Sequence, residues 1–153
     1  MIKKIMIFLL PLLCLGACSS PASSNVIESV EPVHIEIEEA TTYSTEKKTI
    51  YRDDNKKIVG ELYIPYNDQD IYPLLIMSHG FNQNMSNLKD NAYTFAKKGY
   101  ATFVYDFIGG GQSIQSDGKL TEMSVLTEVK DLNTVIEYLK QDERISNNHI
   151  FLI

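Results

Sequence analysis

An α/β fold is predicted, with a mostly parallel sheet that has an antiparallel start and carries helices on both faces. Three observations predict it. Two strand-like stretches, Lys48–Arg52 and Lys57–Ile64, flank the turn signal Asp53-Asp54-Asn55 and read as a hairpin. Short apolar runs at Leu74–Met77, Ala101–Tyr105 and Ile150–Ile153 then alternate with stretches of helical period. Two consecutive strand–helix–strand crossovers imply parallel strands with helices packed on the sheet.

Each element has a local cause. Leu74-Leu75-Ile76-Met77 is apolar at every position, between Pro73 and His79-Gly80, which suits a strand buried on both faces. Leu88, Ala92, Phe95 and Ala96 fall on one helical face, and Gly99 stops that helix. Ala101–Tyr105 is the next strand. Val125, Val129, Leu132, Val135, Ile136 and Leu139 keep the spacing of one buried stripe. Glu122 and Glu128 lie towards the start of that helix and Lys140 at its end, as the helix dipole favours. Ile150–Ile153 begins another buried strand, which His149 opens at the end away from the chemistry. No internal repeat is present.

The first 17 residues read as a leader. Lys3 and Lys4 precede the apolar run Ile5–Leu15, which is shorter than the roughly 20 residues a membrane-crossing helix takes. Leu15-Gly16-Ala17-Cys18 resembles the bacterial lipoprotein box, which implies cleavage before Cys18 and lipidation of its thiol. Multiple acyl chains there would anchor the protein stably to a membrane surface, outside the cytoplasm. From 18 to 42 the chain reads as an acidic flexible tether, with Glu28, Glu31, Glu36, Glu38 and Glu39 and no Lys or Arg. Within it, Val33–Ile37 alternates like a short strand, and His34 is a surface residue without ligand-type neighbours. The folded domain is placed at 43–153.

Composition narrows the function classes. The 153 residues are 44% hydrophobic and 22% charged, with a formal net charge of −6, which argues against a basic nucleic-acid footprint. Of the 2 Cys, Cys14 lies in the leader, so the remainder has no cysteine pair for a disulfide or a thiolate metal site. No metal or organic cofactor is implied. Gly109-Gly110-Gly111 suggests a dinucleotide loop, but Ile114 occupies the position of the last glycine in G-x-G-x-x-G.

In open α/β sheets the chemistry lies outside the carboxyl ends of the strands. Here those ends carry Ser78-His79-Gly80-Phe81-Asn82-Gln83-Asn84 and Asp106-Phe107-Ile108-Gly109-Gly110-Gly111-Gln112-Ser113. Together with Leu75-Ile76-Met77, Ser116-Asp117-Gly118-Lys119 and Met123–Glu128, these residues resemble the α/β-hydrolase family. Within it they resemble the ester-cleaving branch that includes bacterial feruloyl and cinnamoyl esterases. Ile108 stands where relatives often have Arg.

The resemblance implies that the backbone N–H of Phe81 is an oxyanion donor, with His79 and Gly80 shaping its loop. It implies that the 106–113 turn is structural, with Asp106 satisfying backbone N–H groups and the glycines at positive φ. A triad of Ser113, His79 and Asp106 is set aside, because Gly111-Gln112-Ser113-Ile114-Gln115 lacks the second glycine of the G-x-S-x-G elbow. That motif occurs nowhere in the 153 residues, and in the family it follows the fifth strand. The chain is therefore expected to be the N-terminal part of a serine hydrolase, ending before nucleophile, acid and base, and inactive alone. The family's strand order would leave the fifth strand as an open apolar edge, prone to aggregation. A carboxylic ester is the expected substrate. A peptidase of the serine aminopeptidase or prolyl-oligopeptidase type is the alternative, and a non-catalytic lipoprotein remnant or binding module is the reading from another class.

Overall fold

The computed structural model describes residues 36–153, so the leader, Cys18, His34 and most of the acidic tether lie outside the described residues. The chain runs β1 (Thr42–Tyr51), β2 (Lys57–Tyr66), β3 (Tyr72–Ser78), a 3-10 turn (Met85–Leu88) and α1 (Lys89–Lys97). It continues with β4 (Ala101–Tyr105), a second 3-10 turn (Leu120–Glu122), α2 (Val125–Leu139) and β5 (Ile145–Leu152). The five strands form one sheet in the order β1-β2-β4-β3-β5. Antiparallel pairing joins β1 to β2 and β2 to β4, whereas β3 is parallel to both β4 and β5. The predicted architecture is the observed one. Among the described residues no helix is long and apolar enough to cross a membrane.

The hairpin turns through a three-residue loop. Asn55 takes φ 60° and the Arg52 N–H donates to the Lys56 carbonyl at 3.0 Å, a conformation that Asn adopts at small steric cost. Gly60 in β2 is required by packing, because a Cβ there would stand 2.3 Å from Cζ of Phe103.

Alternation along β3 divides the core. Leu74 and Ile76 face one cluster with Phe103, Tyr105, Val135 and Leu139, so α2 covers that side. Leu75 and Met77 face the other with Val104, Ala92 and Ala96, so α1 covers the opposite side. Six of the seven residues of β3 are buried, as a strand sandwiched between helices must be. Gly99 ends α1 at φ 89°, the left-handed position that favours glycine.

Helix α2 departs from the predicted stripe. Val135 and Leu139 are buried, but Val125 is 72% and Val129 50% exposed, and the inward position of that turn belongs to Asp131. Residues advance about 100° each around a helix. Val129, two before Asp131, therefore points away from the sheet once Asp131 points in. Ser124 caps the helix, accepting from the Thr127 N–H while the Ser124 N–H donates to Thr127 Oγ1.

Strand β5 begins earlier than the apolar run that signals it. Ile145 pairs with Tyr72 and Ile150 with Leu74, so the polar residues between bulge out of register, and His149 lies within the strand. As the edge strand, β5 leaves Phe151 47%, Leu152 53% and Ile153 66% exposed, the open apolar edge expected from the strand order.

Residues 36–40, inside the segment expected to be tether, dock on the body. The Ala40 N–H donates to the Lys97 carbonyl at 2.9 Å, and the side-chain amides of Asn67 and Gln69 donate to the Glu38 and Glu36 carbonyls.

Candidate active site

Strands β3 and β4 end level with each other, Ser78 opposite Tyr105, so their loops leave the sheet side by side. The first loop turns at Gly80–Gln83, closed by the Gln83 N–H donating to the Gly80 carbonyl at 3.2 Å, with Asn82 at φ 57°. Phe81 lies in this turn and is 68% exposed, and its N–H donates to no acceptor among the described residues.

His79 fastens this loop to the second. It is 4% exposed, and its Nε2 accepts the Phe107 N–H at 3.1 Å. An accepting Nε2 carries no proton, so Nδ1 carries it and donates to the Gly80 carbonyl 2.9 Å away. Both ring nitrogens are thus committed to backbone. The Phe107 ring meets the imidazole edge-on at 5.1 Å.

Two glycines let the loops touch. A Cβ on Gly110 would lie 2.8 Å from Cε1 of His79, and one on Gly111 would lie 2.5 Å from the Gln83 carbonyl oxygen. The expectation that Gly109–Gly111 all take positive φ is corrected: only Gly109 does, at 77°, and the other two are needed for close approach. The remaining positive φ in the turn belongs to Ser113, at 61°.

Asp106 is structural, as predicted. It is 1% exposed; Oδ1 accepts the Met85 N–H at 2.8 Å and Oδ2 the Gln115 N–H at 2.7 Å. Its own carbonyl accepts from Ser116 Oγ at 2.6 Å. With the Asp106 carboxylate and the His79 imidazole both occupied by backbone, neither serves Ser113 as acid or base.

Ile108 is 2% exposed, and its N–H donates to Asp131 Oδ2 at 2.8 Å. Asp131 Oδ1 accepts from Arg52 Nη1 at 2.7 Å, and the rest of the Arg52 fork grips Asp54 at 2.9 and 2.6 Å. Burial pushes the Asp131 carboxyl up, while the Ile108 N–H and Arg52 pull it down. Arg52 in turn is held above its ordinary range, first by Asp54 and then by Asp131. Sequence reasoning missed this pair. The available signal was an acid four residues before Val135 on the inward face of α2, since a buried carboxylate demands a partner.

Ser78 closes the floor of the site. Its Oγ lies 3.0 Å from the hydroxyl of Tyr105, whose phenol is pushed up by burial. The Ser78 N–H donates to the Ile153 carbonyl at 2.8 Å, so the end of β5 lies against the root of the Phe81 loop. Among the described residues no group of His, Cys, Asp and Glu is disposed to hold a metal.

The chain has counterparts among known proteins. Residues 69–153 match the family model described as serine aminopeptidase, S33. The structure of DcsB in complex with its substrate analogue matches 71% of the chain at 27% identity and a TM-score of 0.61. The α/β-hydrolase GrgF from Penicillium sp. sh18 matches 71% at 24% identity and a TM-score of 0.61. Est1E from Butyrivibrio proteoclasticus, solved with ferulic acid bound, matches 69% at 24% identity and a TM-score of 0.56. The chain spans 36%, 36% and 41% of those three proteins respectively. No curated protein sequence matches it. The family match covers more than half of the chain and the matched solved structures share its fold: the chain belongs to the serine aminopeptidase S33 family and has the α/β-hydrolase fold.

Proposed function

We propose that the protein is a carboxylic ester hydrolase that acts outside the cytoplasm, held at a membrane through lipidated Cys18. The observation that carries the catalytic part is the unengaged Phe81 N–H at the carboxyl end of β3. In this reading the Phe81 N–H binds the oxyanion that forms when a serine attacks the acyl carbonyl. Among the described residues the donor has no acceptor to give up as charge develops, and losing such a donor costs about 2.7–4 kcal/mol of barrier. His79 and Gly80 hold the loop and take no proton from substrate. The nucleophile, its His base and the orienting acid are contributed by residues after β5. In support, no G-x-S-x-G occurs in the 153 residues, and the chain spans 36% of the DcsB structure.

Ester substrates are favoured by the ferulic acid in the matched Est1E structure and by the acetyl xylan esterase of Paenibacillus sp. R4, which matches 78% of the chain at 15% identity. The matched family's description favours aminopeptidase action as the second reading. A membrane anchor is supported by Lys3, Lys4, the apolar Ile5–Leu15 run and Leu15-Gly16-Ala17-Cys18 in register.

The test begins with the coding sequence beyond Ile153, where a Gly-x-Ser-x-Gly elbow is expected within about ten residues. The protein carrying that elbow is then assayed on p-nitrophenyl acetate, methyl ferulate and aminoacyl p-nitroanilides. Turnover of anilides alone would replace the ester reading with the peptidase one. Absence of an elbow in an intact gene would remove both. Incorporation of labelled palmitate that disappears in Cys18→Ser tests the anchor.

A further inference from the structure

We propose that Asp131 is a positioning residue for the Phe81 loop, acting from α2 through two consecutive peptide groups of the 106–113 turn. Asp131 Oδ2 accepts the Ile108 N–H at 2.8 Å from one side. His79 Nε2 accepts the Phe107 N–H, the preceding donor, at 3.1 Å from the other. The same imidazole holds the Gly80 carbonyl at 2.9 Å, one residue before Phe81. A rigid path therefore runs from the carboxylate on α2 to the peptide that presents the Phe81 N–H.

Arg52 completes the device. Asp131 is fully buried and Arg52 is 7% exposed, and a carboxylate in that position needs a cation to stay charged. Asp54 holds two further nitrogens of the same guanidinium, at 2.9 and 2.6 Å, which fixes its direction. A buried ion pair also needs a partner for its remaining lone pairs. This one spends its second oxygen on a loop N–H beside the site. The catalytic meaning of the path rests on Phe81 as oxyanion donor; the path itself does not.

The experiment is amide hydrogen exchange and chemical-shift mapping of the 1–153 chain carrying Asp131→Asn. Arg52 Nη1 and the Ile108 N–H are both donors, and one amide oxygen cannot serve them from the two positions of a carboxylate. The charged guanidinium keeps the oxygen, so the Ile108 N–H faces an NH2 group. Exchange protection of the Phe107 N–H is expected to fall about tenfold relative to that of Val104 in the central strand, the worth of about one hydrogen bond, and the Phe81 amide shift is expected to move. A global loss of stability lowers both protections together, so the ratio isolates the loop. Asp131→Glu keeps the charge but carries the carboxylate out of register, and it gives a second reading if the Asn variant fails to fold. Unchanged Phe107-to-Val104 protection and an unmoved Phe81 amide, in either folded variant, overturn the inference. No turnover is needed, so a chain inert toward esters leaves the inference standing. Full esterase activity with an unchanged ratio removes it without touching the function.

Discussion

The imidazole of His79 accepts the Phe107 N–H at 3.1 Å and, through its other nitrogen, donates to the Gly80 carbonyl at 2.9 Å. One neutral side chain thereby joins the loops that follow β3 and β4. His79→Ala leaves the Phe107 N–H without its acceptor in a buried position. The expected cost is about 1–3 kcal/mol, read as a lower urea midpoint with an unchanged m-value.

Gly110 is the steric counterpart of that bond. A methyl group there would press on Cε1 of His79 at 2.8 Å, and the Phe107 carbonyl lies 3.2 Å away on the backbone. Gly110→Ala is expected to destabilise by about 1–3 kcal/mol, the usual cost of overpacking. In thermal unfolding the His79→Ala background should relieve part of it, because the obstructing ring is gone.

Phe81 separates backbone from side chain. The residue is 68% exposed, so Phe81→Ala should leave stability nearly unchanged. Phe81→Pro deletes the N–H at a turn position that tolerates proline. In a protein carrying the nucleophile elbow, kcat on an aryl ester is expected to fall about 10²–10³-fold in the Pro variant. KM should be nearly constant. Equal kcat in the Ala and Pro variants would show that the N–H stabilises nothing.

Acid should loosen the contact between β1 and the turn before β5. Arg144 and then Lys48 hold the Glu46 carboxyl down at about 2, from an ordinary 4.5. Arg144 also lowers Asp142. A carboxylate whose folded value is depressed contributes stability above its unfolded value and loses it as pH falls through the folded one. Unfolding free energy is therefore expected to decline between about pH 4.5 and pH 2. Glu46→Gln should flatten that decline in urea titrations at stepped pH.

The β5 edge predicts self-association. Phe151, Leu152 and Ile153 are about half exposed or more, and with Leu75, Phe95 and Tyr100 they line an apolar depression of about 310 Å³. Such an edge is a template for pairing with another strand. Phe151→Lys is expected to shift the 1–153 chain toward monomer in size-exclusion chromatography at fixed concentration.

Much of this was legible in the sequence, and the residues show why. Leu74–Met77 and Ala101–Tyr105 announce themselves because a strand covered on both faces has no reason to be polar anywhere. The turn Asp53–Asn55 and the stop at Gly99 carry their own conformational chemistry. Asp106 as a backbone anchor could be inferred from its motif. What escaped was pairwise. Nothing near Asp131 in sequence points to Arg52, 79 residues away, and periodicity counted Val125 and Val129 as core because it weighs apolar character and is blind to partners. The polar half of β5 was hidden for a similar reason, since residues that bulge from an edge escape the alternation that marks a strand.

The docked segment 36–40 sets where the chain enters the body. It lies beside the carboxyl end of α1, next to Lys97 and Gly99, at the end of the sheet where β4 begins and opposite the end where the Phe81 loop leaves. Segment 36–40 and the Phe81 loop thus lie at opposite ends of the sheet. Tension applied at Glu36 would load the Ala40–Lys97 and Asn67–Glu38 bonds and leave the loops after β3 and β4 unloaded.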